Sequence, residues 1–301
     1  MRWWNLVAIP PTAVGGSFRS FLQEDLRYSI INLILPRMIL TPYKTLTWAY
    51  QLHYYLCFRT HRRRHSVDPL LKTLLHEICD RHDYHLIACK SYPTQIRILI
   101  SLRPTQPIAK VIQTLKTNTS GKARFWARGY RAQSVGRVRT RAVRGYLEKQ
   151  AAHHGYDSKQ SSPVYRYRAR PRRKLTANHA FFDLSHHLVL STRWRRDIFS
   201  FALGRALTDY WLRVAAERRF AIDQVSTVPD HVHMIVRIVP SMSIEECALL
   251  LMNNGQYFMA KNYPHLLIEA RIDRLWQPGA YAGTCGQYTT GLMQQWLLER
   301  I

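Results

Sequence analysis

Apolar and polar positions alternate along Val228-Pro229-Asp230-His231-Val232-His233-Met234-Ile235-Val236, a period of two that predicts a β-strand. Pro229, just ahead of that strand, removes no ladder hydrogen bond. Similar runs at Tyr54 to Arg63 and at His186 to Arg195 each predict a strand that passes into a basic turn. Leu70 to Arg81 and Phe201 to Arg219 carry apolar residues at helical spacing. Tyr84 to Cys89 and Phe220 to Val225 read as further strands, and Tyr92 to Ile100 is the counterpart of the opening stretch.

These elements are one unit written twice. Pro93 lies over Pro229, and Ile108, Val111 and Leu115 lie over Ile244, Cys247 and Leu251 as one apolar helix face. Gly129 to Gly136 lies over Gly279 to Gly286. The offset between the copies grows from 136 to 150 residues, so the second holds 14 extra residues between Met252 and Trp276. A last helix closes each copy, Arg141 to Gln150 and Thr290 to Arg300. The order strand, helix, strand, strand, helix, helix predicts an α+β fold with helices on one face of an antiparallel sheet. The chain then divides into an extension of unknown role (1–48), a first unit (49–150), a basic linker (151–178) and a second unit (179–301).

Composition adds a partner. The chain has 301 residues, 47% of them hydrophobic, enough for two packed domains, and 44 Lys and Arg against 19 Asp and Glu. An excess of 25 positive charges points to a polyanion, nucleic acid ahead of an anionic membrane surface. The five cysteines (Cys57, Cys79, Cys89, Cys247 and Cys285) include no CxxC, which favours a reducing compartment over a disulfide frame or a zinc cluster. The apolar run from Ile30 to Leu40 is broken by Pro36-Arg37 and is too short to span a bilayer. Pro10-Pro11 cuts short the apolar stretch after Met1-Arg2-Trp3-Trp4, so no signal peptide and no membrane partner are expected.

Two basic stretches stand out. Lys122, Arg124, Arg128, Arg131, Arg137, Arg139, Arg141 and Arg144 run without an acid and interleave with Phe125, Trp126 and Tyr130. Arginines for phosphates with rings for unpaired bases suit single-stranded or hairpin DNA. The linker sets Lys159, Arg166, Arg168, Arg170, Arg172, Arg173 and Lys174 against one acid, Asp157, and reads as an exposed basic arm. His231 and His233, two apart on a strand, present two imidazoles on one face, either a bidentate metal site or an exposed hairpin edge.

Val228 to Val236, the helix Tyr146-Leu147-Glu148-Lys149-Gln150 and the preceding Ser134-Val135-Gly136 resemble the single-tyrosine HUH transposases of the insertion-sequence 200/605 type and their palindrome-associated relatives. The resemblance covers roughly residues 50–150 and 183–301. It implies two tandem ferredoxin-like HUH units, with Tyr146 as nucleophile and Gln150, His231 and His233 as ligands of a divalent metal, Mg²⁺ or Mn²⁺. The departures are informative. The first unit has Gln95 and Arg97 at the histidine positions, and the second has Trp296 and Arg300 at the tyrosine and glutamine positions. Family members are homodimers with composite sites. The resemblance therefore implies a fused pseudo-dimer, monomeric, with one surviving site shared between the units. Asp230 is either a partner holding an imidazole from behind or a turn residue, and His187, at a family position on its strand, either lies near the site or, as is favoured, only packs.

A free phenol has a pKa of about 10, so a tyrosine nucleophile needs a metal to hold and neutralise the phosphate. The implied activity is cleavage and rejoining of single-stranded, hairpin-flanked DNA through a phosphotyrosine, in the cytoplasm of a prokaryote at its nucleoid. The alternative is a domesticated or non-catalytic adaptor that binds a DNA hairpin or RNA within a larger, RNA-guided assembly or beside another mobile-element partner.

Overall fold

The computed structural model describes residues 41–61, 71–120, 125–156 and 162–298. Lys122, Arg124, Asp157, Lys159, Arg300 and the stretch before residue 41 lie outside the described residues.

The first unit runs β1 (Thr47–Gln51), β2 (His53–Thr60), α1 (Leu71–Arg81), β3 (His85–Tyr92), β4 (Gln95–Ser101), α2 (Ile108–Asn118), β5 (Trp126–Val135), α3 (Thr140–Glu148) and α4 (Gln150–His153). The remainder runs β6 (Tyr165–Arg168), β7 (Ala180–Asp183), β8 (Ser185–Thr192), α5 (Phe201–Glu217), β9 (Ala221–Val228), β10 (His231–Arg237), α6 (Ile244–Asn262), α7 (Pro264–Glu269), β11 (Trp276–Cys285) and α8 (Thr290–Leu298). The repeat is thus present, and each unit gains strands and a short helix that the hydrophobic pattern does not suggest. The stretches ending in Gly136 and Gly286 form the long strands β5 and β11. Glycine in both, arginines in β5 and Pro278 in β11 hide the period of two.

The sheets are ordered β3-β4-β2-β5-β7 and β1-β11-β8-β10-β9-β6. Each unit lends its opening strand to the other. β1 lies parallel to β11, Thr47 beside Gly279, and β7 lies parallel to β5, Ala180 beside Tyr130. Tyr43, just before β1, is buried and donates its hydroxyl to the Trp276 carbonyl at 2.7 Å.

Alternation along β10 sorts its two faces. Val232, Met234 and Val236 enter the main core beneath α5 and α6, where Trp211 stacks on Trp276. Burying one such side chain contributes about 1.5–3 kcal/mol. His231, His233 and Ile235 face the other way, where Ile235 packs with Val143 and Leu147 of α3. In the same way Leu99 of β4 packs with Met293 and Leu297 of α8. The second face of each sheet therefore carries the closing helix of the other unit.

The crossing point is tight. Ser134 donates its hydroxyl to the Cys285 carbonyl at 2.7 Å. Thr140 N–H, at the start of α3, donates to the Gly286 carbonyl at 2.9 Å, and Thr290 N–H, at the start of α8, donates to the Gly136 carbonyl at 2.9 Å. A Cβ at Gly136 would overlap the Thr284 carbonyl, and one at Gly286 would overlap the Ser134 carbonyl. Only glycine permits this backbone approach.

The linker is not a free arm. β6 adds to the edge of β9, Tyr165 beside Thr227. Arg172 and Arg237 both bind Asp223, and Arg173 donates to the carbonyls of Ala215, Ala216 and Phe220 at the end of α5. Arg168 pairs with Glu148 at 2.8 Å. A buried carboxylate and a helix C-terminus attract these guanidiniums, and the sequence pattern alone does not reveal either. No helix among the described residues is long and apolar enough to cross a membrane.

Candidate active site

The histidine pair sits at the head of β10, just after the turn at Pro229-Asp230. The turn is pinned from outside. The Pro229 carbonyl accepts from Ile198 N–H and Phe199 N–H, and the Asp230 carbonyl accepts from Thr192 N–H and its hydroxyl. His231 and His233 are both buried, with their Nε2 atoms 3.0 Å apart. Asp230 Oδ1 accepts from His231 Nδ1 at 2.6 Å, and Arg195 holds the other carboxylate oxygen at 2.7 Å. That bond fixes the tautomer of His231 and leaves the Nε2 lone pair facing inward.

His187 does more than pack. It stands opposite Ile235 on β8, one diagonal step from His233, and its Nε2 lies 3.0 Å from His233 Nδ1. The sequence expectation of a packing residue missed this bond because it depends on strand register. Burial pushes His187 down to about 4 and His233 down to about 2, the latter helped by the neighbouring imidazoles His187 and His231. His231 is also lowered, chiefly by burial, against the raising influence of Asp230. The imidazoles are therefore neutral at pH 7, and the contact between Asp230 and His231 is a hydrogen bond to a neutral ring.

Helix α3 brings the tyrosine from the first unit. Tyr146, 41% exposed, sets its ring edge-on to His233 at 5.4 Å between centroids and 6.3 Å from His187. The helix lies against β9 and β10. Arg144, two residues before the tyrosine, reaches Asp223 at 3.6 Å. The Asp223 side chain is 1% exposed and also receives Arg172 and Arg237, so one buried carboxylate clamps the tyrosine helix, the linker and β10. Sequence reasoning gave Asp223 no role, since its partners are remote in the chain.

Tyr146 and Gln150 do not share one continuous helix. Lys149 N–H bonds back to the Tyr146 carbonyl, which tightens the last turn, and α4 starts at Gln150 after Lys149 leaves helical geometry at φ −97° and ψ 9°. The change turns Gln150 and Ala151 inward, where Ala151 meets Val164 and Val228. Gln150 is 0% exposed, and neither its Oε1 nor its Nε2 has a hydrogen-bond partner. A buried amide without partners costs about 1–3 kcal/mol, so its position calls for a partner. The same turn brings His154 within 5.3 Å of the His231 ring and His153 within 5.8 Å of Tyr146. Among the described residues no group of three or more His, Cys, Asp or Glu side chains is arranged to hold a metal. The donors available for a divalent cation are two imidazole nitrogens and the Gln150 amide oxygen, a set outside that residue class.

Arg128 and Arg131 lie on β5, while Arg137 and Arg139 follow it near the junction. Arg170 is exposed in the linker. Gln95 and Arg97 lie on β4 in the other sheet, away from the histidine pair.

The family described as "Transposase IS200 like" matches residues 48–150 and again residues 180–298. The chain belongs to the IS200-like transposase family. The double match agrees with two tandem units in one IS200-like chain. The ISDra2 transposase TnpA of Deinococcus radiodurans is 22% identical over 116 residues, covering 38% of this chain and 83% of the relative. The transposase for insertion sequence element IS200 of Salmonella typhimurium is 23% identical over 111 residues, covering 37% of this chain and 73% of the relative. A solved structure from Deinococcus radiodurans R1, described as a "putative transposase", aligns with a TM-score of 0.35 at 22% identity, covering 41% of this chain and 95% of that one.

Proposed function

We propose that this chain cleaves and rejoins single-stranded DNA at one composite site, using Tyr146 from the first unit and His231, His233 and Gln150 around it. The carrying observation is convergence across the two units. Tyr146 of the first unit stands at ring-contact distance from His233 of the second, whose Nε2 lies 3.0 Å from that of His231, and Gln150, four residues after the tyrosine, is buried without a hydrogen-bond partner. Membership of a transposase family supplies the reaction class.

The donor set fits a divalent cation. Nitrogen atoms 3.0 Å apart match adjacent corners of a small coordination shell, and the Gln150 amide lacks any other partner. His231 Nε2, His233 Nε2 and Gln150 Oε1 would hold it, and Asp230 would orient His231 from behind. When bound, a Mg²⁺ or Mn²⁺ ion supplies Lewis-acid stabilisation of charge on the phosphate. The remaining steps belong to the chain. The Tyr146 phenol oxygen attacks the phosphorus and loses its proton to solvent or a neighbouring base. The P–O3′ bond breaks, and the departing 3′ oxygen takes up a proton. The strand remains on Tyr146 through its 5′ phosphate, a bond that conserves the energy for rejoining. Tyr146 sits at the open rim and the histidines sit buried beneath it, so a strand reaches the nucleophile from outside.

The fused architecture makes a single chain sufficient, and 44 Lys and Arg against 19 Asp and Glu suit a polyanion. The test is incubation of the full chain with labelled single-stranded DNA and Mn²⁺. A covalent adduct that survives denaturing electrophoresis and vanishes in Tyr146→Phe is expected. An adduct that persists in Tyr146→Phe would sink this assignment.

A further inference from the structure

The face of the first unit that corresponds to the histidine face carries a different chemistry. Gln95 and Arg97 stand where His231 and His233 stand in the second unit, and Trp296 of α8 stands where Tyr146 stands on α3. Cys57 pairs with Arg97 on one side and Arg131 on the other, so both arginines share one row across the sheet. Arg59, two positions along β2, joins the same face. Arg97, Arg59 and Arg131 each offset in part the rise that burial imposes on the Cys57 thiol between them. Among the described residues none of the three pairs with a carboxylate. The matching row of the second unit reads Ser226, His233, Val189 and Tyr281, with one cation, Arg166 of β6, beyond Ser226.

Aromatic rings flank these cations. Arg97 lies 4.5 Å from the centroid of Tyr92, and Arg131 lies 5.2 Å from that of Phe181, which is 68% exposed. Trp296 is 46% exposed and leans on Tyr288. Helix α8 covers only the next rows, through Met293 and Leu297 on Ala88, Leu99 and Val135.

We propose that this face is a second strand-binding site, one that holds single-stranded DNA and cannot cut it. The proposal rests on the reading of the chain as acting on single-stranded DNA. Guanidinium forks bind phosphate oxygens without a metal. Exposed rings offer stacking surfaces that only unpaired bases can use. Trp296 has no hydroxyl, so the position equivalent to Tyr146 offers a surface and no nucleophile. The pseudo-twofold relation makes this face the counterpart of the cutting face, where a second strand end would lie during an exchange.

The test uses the full chain carrying Tyr146→Phe, so that no strand is trapped covalently, and a short fluorescein-labelled oligothymidine. Two oligonucleotides per chain are expected, falling to one when Arg97→Gln and Arg131→Gln are added. Removing two phosphate contacts should also flatten the slope of log affinity against log salt by about 1.4. Trp296→Ala, at an exposed position, should weaken the second site by about tenfold and serves where the arginine variant fails to fold. One oligonucleotide per chain, with affinity and salt slope unmoved by these substitutions, overturns the second site. Preference of that site for an oligouridine RNA overturns its assignment to DNA. The wild-type adduct is scored separately, so its absence would defeat the cleavage reading and leave the stoichiometry as an independent result.

Discussion

Gly286→Ala should severely strain the junction between the units. The new Cβ would overlap the Ser134 carbonyl oxygen and lie 3.0 Å from its carbonyl carbon and 3.5 Å from the Val135 Cα. All three atoms are backbone, so relief requires the strands to part. Parting threatens the Thr140 N–H bond to the Gly286 carbonyl and the Ser134 hydroxyl bond to the Cys285 carbonyl. Two hydrogen bonds at about 1 kcal/mol each, with overpacking of about 1–3 kcal/mol, give a loss of about 3–5 kcal/mol. That is a large share of the roughly 5–15 kcal/mol of a typical domain. Urea unfolding followed by tryptophan fluorescence reads the loss. Because Thr140 opens the tyrosine helix, the adduct yield should fall with it. Gly136→Ala should cost about the same by pseudo-symmetry. Gly145→Ala, with nothing within 4 Å of its Cβ, should stabilise α3 by about 0.5–1 kcal/mol. A Gly286→Ala chain within about 0.5 kcal/mol of wild type, the range of an ordinary surface change, would refute the interlocked junction.

Four other outcomes are expected. Mn²⁺ at about 100 times its Kd should stabilise the wild type by about 2.7 kcal/mol in a thermal melt and His233→Ala by almost nothing; equal shifts in both would remove the metal assignment. Asp230→Asn, which weakens the grip on His231 Nδ1, should lower Mn²⁺ affinity by about 10–100-fold, and an unchanged affinity would make Asp230 a turn residue only. His186 is fully buried against the Tyr54 hydroxyl, and burial lowers it from 6.5 to about 3. The folded state then refuses a proton that the unfolded chain accepts, so stability is full above pH 6.5 and falls as pH drops toward 3, by about 1.4 kcal/mol per unit at most. His186→Gln should reduce that slope in urea titrations, and an identical slope would contradict it. Asp223→Ala leaves three guanidiniums without their shared carboxylate and should destabilise by about 3–5 kcal/mol, whereas a loss below about 1 kcal/mol would show that the clamp carries little.

The repeat and the histidine pair were legible because period-two and helical spacings survive in both copies at fixed offsets. The tyrosine helix was legible through resemblance. What escaped the sequence depends on register or on distant partners. His187 meets His233 only because β8 pairs with β10 one way. Asp223 gathers Arg144, Arg172 and Arg237 from three separate segments, and the linker arginines looked free because their acceptors are a remote carboxylate and the carbonyls ending α5. β5 carries glycine and arginines, and β11 glycines and a proline, in place of an apolar alternation, and the strand exchange of β1 and β7 has no signature in a chain pattern at all. The break at Lys149 follows from the burial of Gln150, which spacing alone cannot anticipate.

The central claim is one site per chain, built within a single molecule from both units. Mixing Tyr146→Phe with His231→Ala tests it most directly, with covalent capture of labelled single-stranded DNA as the signal. Each variant alone should give no adduct, the wild type should saturate at one strand per chain, and the mixture should remain inactive. Adduct restored in the mixture would mean that tyrosine and histidines meet between molecules, contradicting the intramolecular site.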